Sequence, residues 1–101
     1  MSAGRKINSE GVALKFGDNL RRCRTLAGLS QEEVAKRASL PRTEIAELES
    51  GELIPRIDVL VQLAEALTIR PGDLIAGISW IPGEAGDGDF GFETPRQSSG
   101  D

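Results

Sequence analysis

Between Ser30 and Gly51 the chain reads SQEEVAKRASLPRTEIAELESG, and the half that begins at Pro41 holds the side chains best suited to recognition chemistry. On a helical wheel of about 100° per residue, Ile45 and Leu48 mark an inner, apolar face. Thr43 and Glu47 point away from it, Ala46 and Ser50 lie between them, and Arg42 in the first turn reaches the same outer side. A guanidinium donates hydrogen bonds, a carboxylate accepts them, and the Thr and Ala methyls offer apolar contact. Three glutamates in so short a stretch look like an acidic stripe, but they are not one. Glu49 falls near the core edge, Glu44 on a flank, and only Glu47 on the outer face. Bond-breaking chemistry is poorly provided for. The chain has no histidine, the commonest general base, and no glycine-rich loop that would cradle a nucleotide phosphate. Its carboxylates are scattered over helical faces, so an enzyme is not expected and no cofactor is implied. Cys23 is the only cysteine, which excludes an intramolecular disulfide and the usual Cys/His zinc sites, and no metal site is expected.

These residues must be held by neighbouring elements. At 101 residues the chain suffices for one modest core. Residues 1–15 read as a polar arm. Phe16, Leu20, Cys23 and Ala27 then recur at helical spacing, so a helix is predicted from about Phe16 to the closing Gly28, with Cys23 as a small buried hydrophobe. Ser30 and Glu33 have the spacing of a capping box, flanked by Leu29 and Val34 as a hydrophobic staple. Val34, Ala35 and Ala38 face inward, whereas Lys36 and Arg37 face out. "SLP" breaks this second helix, a third starts at about Pro41, and Gly51 ends it. A fourth is predicted from about Ile57 to Leu67, with Leu60, Leu63, Ala64 and Leu67 on one face. A short fifth runs from Pro71 to Ala76 and adds Leu74 and Ile75 to the core. The domain thus spans 16–77. Beyond it, 78–101 is a Gly- and Asp-rich tail in which ISWI and DFGFE could pair as a β-hairpin over 78–93.

In register over residues 16–77 the sequence resembles the Cro/XRE-type, phage-repressor-like helix-turn-helix family. The resemblance is carried by Leu20, Arg24, Gly28, Leu29, Ser30, Gln31, Val34, Ala35, Ala38, Leu40, Ile45, Leu48, Glu49 and Gly51, then by PRIDVLVQLAEAL. It implies an all-α, five-helix domain whose third helix enters the major groove of duplex DNA. It places Arg42, Thr43, Ala46 and Glu47 against base edges. There Arg can pair with guanine, the methyls can meet the thymine methyl, and Glu can accept from cytosine N4. It makes Gln31 a phosphate ligand, with Lys36, Arg37 and Arg56 on flanking phosphates. It also implies that Arg24 on the first helix pairs with Glu49 as a structural salt bridge. Two positions depart from the pattern: Arg56 and Arg70 stand where an N-capping Ser, Thr or Asp is usual, at a typical cost of about 1 kcal/mol each.

The net charge of −4 is unevenly spread: residues 1–16 carry +2, 17–83 carry −2 and 84–101 carry −4. Affinity for DNA therefore has to come from a locally basic face. The implied function is a sequence-specific regulator of transcription, a repressor binding an operator as a homodimer. A narrower version is a HigA-type antitoxin that also neutralises a toxin, which the small size and acidic tail would suit. The alternative is a protein–protein interaction module on the same fold without operator binding, favoured by Glu44, Glu47 and Glu52. Ile78, Trp80, Phe90 and Phe92 are expected to be ordered, to close over the fifth helix and to contribute to dimerisation. No apolar run reaches the roughly 20 residues of a membrane span, and no apolar signal segment follows the N-terminal charges, so a cytoplasmic protein is expected.

Overall fold

The computed structural model describes residues 9–93. Five helices and a hairpin follow in order: α1 (Ser9–Leu26), α2 (Gln31–Ala38), α3 (Arg42–Glu49), α4 (Ile57–Leu67), α5 (Pro71–Leu74), β1 (Ile78–Pro82) and β2 (Gly88–Phe92). One core joins the helices, with Phe16, Leu20, Val34, Ile45, Leu48, Leu63 and Leu74 among its buried side chains.

The first helix starts earlier than the sequence pattern suggested. Residues 9–15, expected in the polar arm, are its first two turns; the rest of that arm, 1–8, lies outside the described residues. The reason is packing. Ala13 is buried with Phe16 and Leu20, so the apolar stripe runs one turn further back. Gly17, on the same helix, lets α1 lie directly on the end of α3. A Cβ at this position would sit 2.6 Å from the backbone oxygens of both Leu48 and Glu49. No side chain fits there.

The fifth helix is shorter than expected, ending at Leu74 rather than Ala76, and Ile75 is exposed rather than in the core. Arg70 at its N-cap is tolerated because Asp73 reaches back, its carboxylate accepting the Arg70 N–H at 3.0 Å. That is half of a capping box. Asn19 of α1, fully buried, completes the corner. Its side-chain amide donates to the Leu74 and Ala76 carbonyls at 3.0 and 2.9 Å, satisfying acceptors that the ending helix leaves free.

The predicted hairpin is present. Its antiparallel register sets Ile78 opposite Phe92 and Trp80 opposite Phe90, so these four side chains share one face. Trp80 meets Phe90 edge-on, with ring centroids 5.0 Å apart. The aromatics are ordered, yet Trp80 and Phe92 remain 46% and 37% exposed. The expected packing over α5 is not the main one: β2 lies against α1. Gly77, at φ +83°, allows this approach, since a Cβ there would clash with the Glu93 carbonyl and crowd the Lys15 side chain.

Candidate nucleic-acid interface

The turn between α1 and α2 is shaped by Gly28, whose φ of +73° lets the chain reverse, and then by Ser30. The Ser30 hydroxyl accepts the Glu33 N–H at 3.0 Å, while the Glu33 carboxylate accepts the Ser30 N–H at 2.8 Å. The capping box is thus formed as the spacing implied. The Ser30 backbone bond, then the Ser30 side chain, hold the Glu33 carboxyl below its ordinary pKa. Leu29 and Val34, the expected staple residues, both join the core. At the far end Ser39 adopts a left-handed φ of 60° and stops α2. Pro41 then serves as the N-cap of α3, one residue before the helix proper.

This turn leaves α3 with two unlike faces. Ile45 and Leu48 are completely buried. Arg42, Thr43 and Glu47 are exposed, with Ala46 half-buried between them. The structure therefore brings the four expected base-reading residues together on one accessible face. Lys36 and Arg37 are exposed on α2, and among the described residues neither they nor Arg42 is held in an ion pair. Arg56 is less free, since its guanidinium meets the Asp58 carboxylate at 2.7 Å, both side chains being well exposed. A shallow depression lined by Arg24, Ser30, Gln31, Glu32 and Arg42 connects the start of α2 to the start of α3.

Behind that face the ends of three helices are tied to Glu49. Arg24 of α1 grips its carboxylate with two parallel bonds, Nε to Oε2 at 2.5 Å and Nη2 to Oε1 at 3.0 Å. Its third donor, Nη1, reaches the Leu29 carbonyl at 2.9 Å and so fixes the α1–α2 turn as well. The Glu49 side chain is only 2% exposed and that of Arg24 15%. Burial pushes the Glu49 carboxyl up, but the bonds from Arg24 and Gln31 with the nearby guanidinium charges outweigh it and leave the pKa below its ordinary value. Arg24 is shifted the other way, chiefly by its hydrogen bond to Glu49. Both shifts favour the charged pair.

Gln31, expected as a phosphate ligand, is also engaged within the fold. Its side-chain amide donates to Glu49 Oε1 at 3.0 Å, leaving one N–H and the amide oxygen for other partners. Arg21 joins the same cluster without having been anticipated: its Nη2 donates to the Glu49 backbone carbonyl at 3.1 Å and its Nε lies 3.8 Å from Oε1. The helical wheel could have found Arg21, one turn before Thr25 and three residues before Arg24. Nothing local marked its partner, 28 residues away.

With this geometry in hand, the kinship of the chain is clear. The pattern of the HTH_3 helix-turn-helix family matches residues 20–74, and the chain belongs to that family. Its class is that of DNA-binding helix-turn-helix regulators of transcription. The chain is 31% identical over 68 residues to the control protein C.BamHI of Bacillus amyloliquefaciens, covering 66% of this chain and 84% of that protein. It is 36% identical over 66 residues to the HTH-type transcriptional regulator y4dJ of Sinorhizobium fredii, covering 65% and 86% respectively. Among solved structures, the restriction-modification controller protein C.AhdI of Aeromonas hydrophila superimposes with a TM-score of 0.60 at 39% identity, over 61% of this chain and 94% of that one. The family match ends at residue 74, so the hairpin lies outside it. No helix among the described residues is long and apolar enough to cross a membrane.

Proposed function

We propose that this chain represses transcription by binding a two-fold operator as a homodimer, with the outer face of α3 in the major groove. The observation that carries the reading is the contrast across α3: a fully buried face set by Ile45 and Leu48, and an accessible one presenting Arg42, Thr43, Ala46 and Glu47. In this reading those four touch base edges, and Gln31, Lys36, Arg37 and Arg56 hold phosphates. Gln31 can do so with the donor that Glu49 leaves unused, and Arg56 by exchanging Asp58 for a phosphate. Glu47 is unfavourable near phosphate and is most useful for rejecting wrong bases. The work is binding rather than catalysis, and it belongs in the cytoplasm, where the DNA is.

Support for the dimer comes from the outer side of α4. Ile57 and Val61, one turn apart, are 76% and 46% exposed, and Leu53 and Ile54 in the preceding loop are 39% and 49% exposed. This patch directly follows α3 in the chain, where a two-fold contact would set two α3 helices about 34 Å apart, one turn of DNA. The face of Ile78, Trp80, Phe90 and Phe92, expected to contribute to dimerisation, is less suitable. Ile78 and Phe90 on it are already partly buried within the protomer, which leaves less apolar area for a partner. The narrower antitoxin reading, with a toxin as partner, rests only on the small size and the acidic tail. One similar protein, C.AhdI, is a restriction–modification controller by name and another, C.BamHI, a control protein, and a restriction–modification operon is the first target to examine. Selection of duplexes from a random pool tests the proposal. Enriched inverted half-sites about 10 base pairs apart, centre to centre, are expected. A pool left without enrichment would favour the interaction-module alternative.

A further inference from the structure

The C-terminal end of α3 carries charge that the fold does not need. Gly51, at φ +81°, reverses the chain, and the Glu52 N–H then donates to the Glu47 carbonyl at 3.0 Å. That bond sets Glu52 back beside the last turn of the helix. Ser50 fixes its side chain. The hydroxyl lies 2.9 Å from Glu52 Oε2 and 3.1 Å from the Glu47 carbonyl, and the charged acceptor is the stronger of the two. Glu47, Ser50 and Glu52 are all exposed, and among the described residues neither glutamate is in an ion pair. Carboxylates at this end of a helix oppose its dipole, so the arrangement does not stabilise α3.

Ser50 lies on the outer face, in line with Thr43, Ala46 and Glu47. A carboxylate bonded to its hydroxyl continues that face, which runs from Arg42 at one end to Glu47 and Glu52 at the other. The eight residues of α3 rise about 12 Å, close to the roughly 12 Å width of the major groove. A helix seated there brings its last turn to the groove edge. In the groove a carboxylate is answered only by amino groups, cytosine N4 and adenine N6. Guanine and thymine edges offer acceptors, and phosphate adds negative charge.

We infer that Glu52 is a specificity-determining residue, positioned by Ser50, which disfavours duplexes that set acceptor edges or phosphate against the end of α3. The inference rests on the operator-binding reading and gives Glu52 a part in it. Where an operator presents an amino group to the Glu47–Glu52 end, the carboxylates are compensated. A random duplex is held through its phosphates, and there the same charge stands uncompensated. Selectivity then gains from a residue that lowers general affinity.

Glu52→Gln keeps the shape of the side chain and still accepts from Ser50. Titrated against a selected operator and a random duplex at one salt concentration, it should bind the random duplex about tenfold more tightly than the parent, with operator affinity within about twofold. Ser50→Ala, which frees the carboxylate without removing it, should move the random duplex the same way by less. Glu84→Gln makes the same change of net charge on the hairpin and should leave both affinities as they are. These three side chains are exposed, so helix content should match the parent's. A Ser50→Ala variant indistinguishable from the parent would remove the positioning role. Equal gains on both duplexes, an equal gain from Glu84→Gln, or no gain on the random duplex would each overturn the inference, while a selective parent would leave the operator reading standing. A parent that did not distinguish the two duplexes would overturn both.

Discussion

The junction around Glu49 and the C-terminal hairpin are both rich in carboxylates, yet the two regions treat charge in opposite ways. At the junction one carboxylate receives Arg24, Gln31 and Arg21, and it is almost wholly removed from water. On the hairpin segment four carboxylates stand in water without an ion pair among the described residues. The first arrangement fixes the position of a helix; the second leaves charge in contact with solvent. The same distinction runs through α3 itself, where Glu49 holds the helix from behind and Glu47, two residues earlier, faces outward. Position relative to the core decides what a glutamate does here.

If the junction is the scaffold, damage there should dominate. Glu49→Ala removes one partner of a buried pair and should cost about 3–5 kcal/mol, more than any hairpin carboxylate. Thermal melts of Glu49→Ala, Arg24→Ala and the double variant check it; losses that simply add would show that the two side chains are uncoupled. Gly17→Ala comes next. The new methyl meets two backbone carbonyls that cannot move without α3, so about 1–3 kcal/mol should be lost, with operator affinity reduced beyond what unfolding explains. A melting temperature equal to the parent's would mean that α1 and α3 separate freely.

Acid should expose the same contrast. The folded-state pKa of Glu49 lies below its ordinary value of 4.5, so the pair stabilises the fold above that pH and loses its contribution as pH falls through the lowered value. Arg24 remains charged throughout. Melting midpoints followed from about pH 5 down to about pH 3 should fall more steeply for the parent than for Glu49→Gln. Parallel curves would remove Glu49 from the account. The smallest effect belongs to the exposed pair: Asp58→Asn breaks the contact with Arg56 and should change stability by less than about 1 kcal/mol.

How far the sequence revealed this arrangement depended on the range of the interaction. The Ser30–Glu33 box, the ends of α2, α3 and α4, and the outward set on α3 follow from local spacing and were legible. The Arg24–Glu49 pair, 25 residues apart, was legible only through family resemblance. Asn19 was not, because its partners lie 55 and 57 residues away and are backbone carbonyls, which carry no sequence signal. Gly17 gave equally little warning, since a glycine chosen for close approach looks like any other until the opposing backbone is known. The early start of α1 was hidden by Ser9, Glu10 and Gly11, polar or flexible residues that read as an arm until Ala13 is seen to be buried. The hairpin itself was readable from alternating apolar residues, but its seat on α1 depends on Gly77 admitting Lys15 and Glu93 at short range.

In the proposed reading, the outer face of α3 reads sequence while its inner end is only held. Its most direct test is a titration of Arg42→Ala and its parent against a selected operator and a random duplex at one salt concentration. Arg42→Ala should lose about 1–3 kcal/mol on the operator and much less on the random duplex, with base preference relaxed at one position of each half-site. Equal losses on both duplexes would contradict the claim and make Arg42 a phosphate contact.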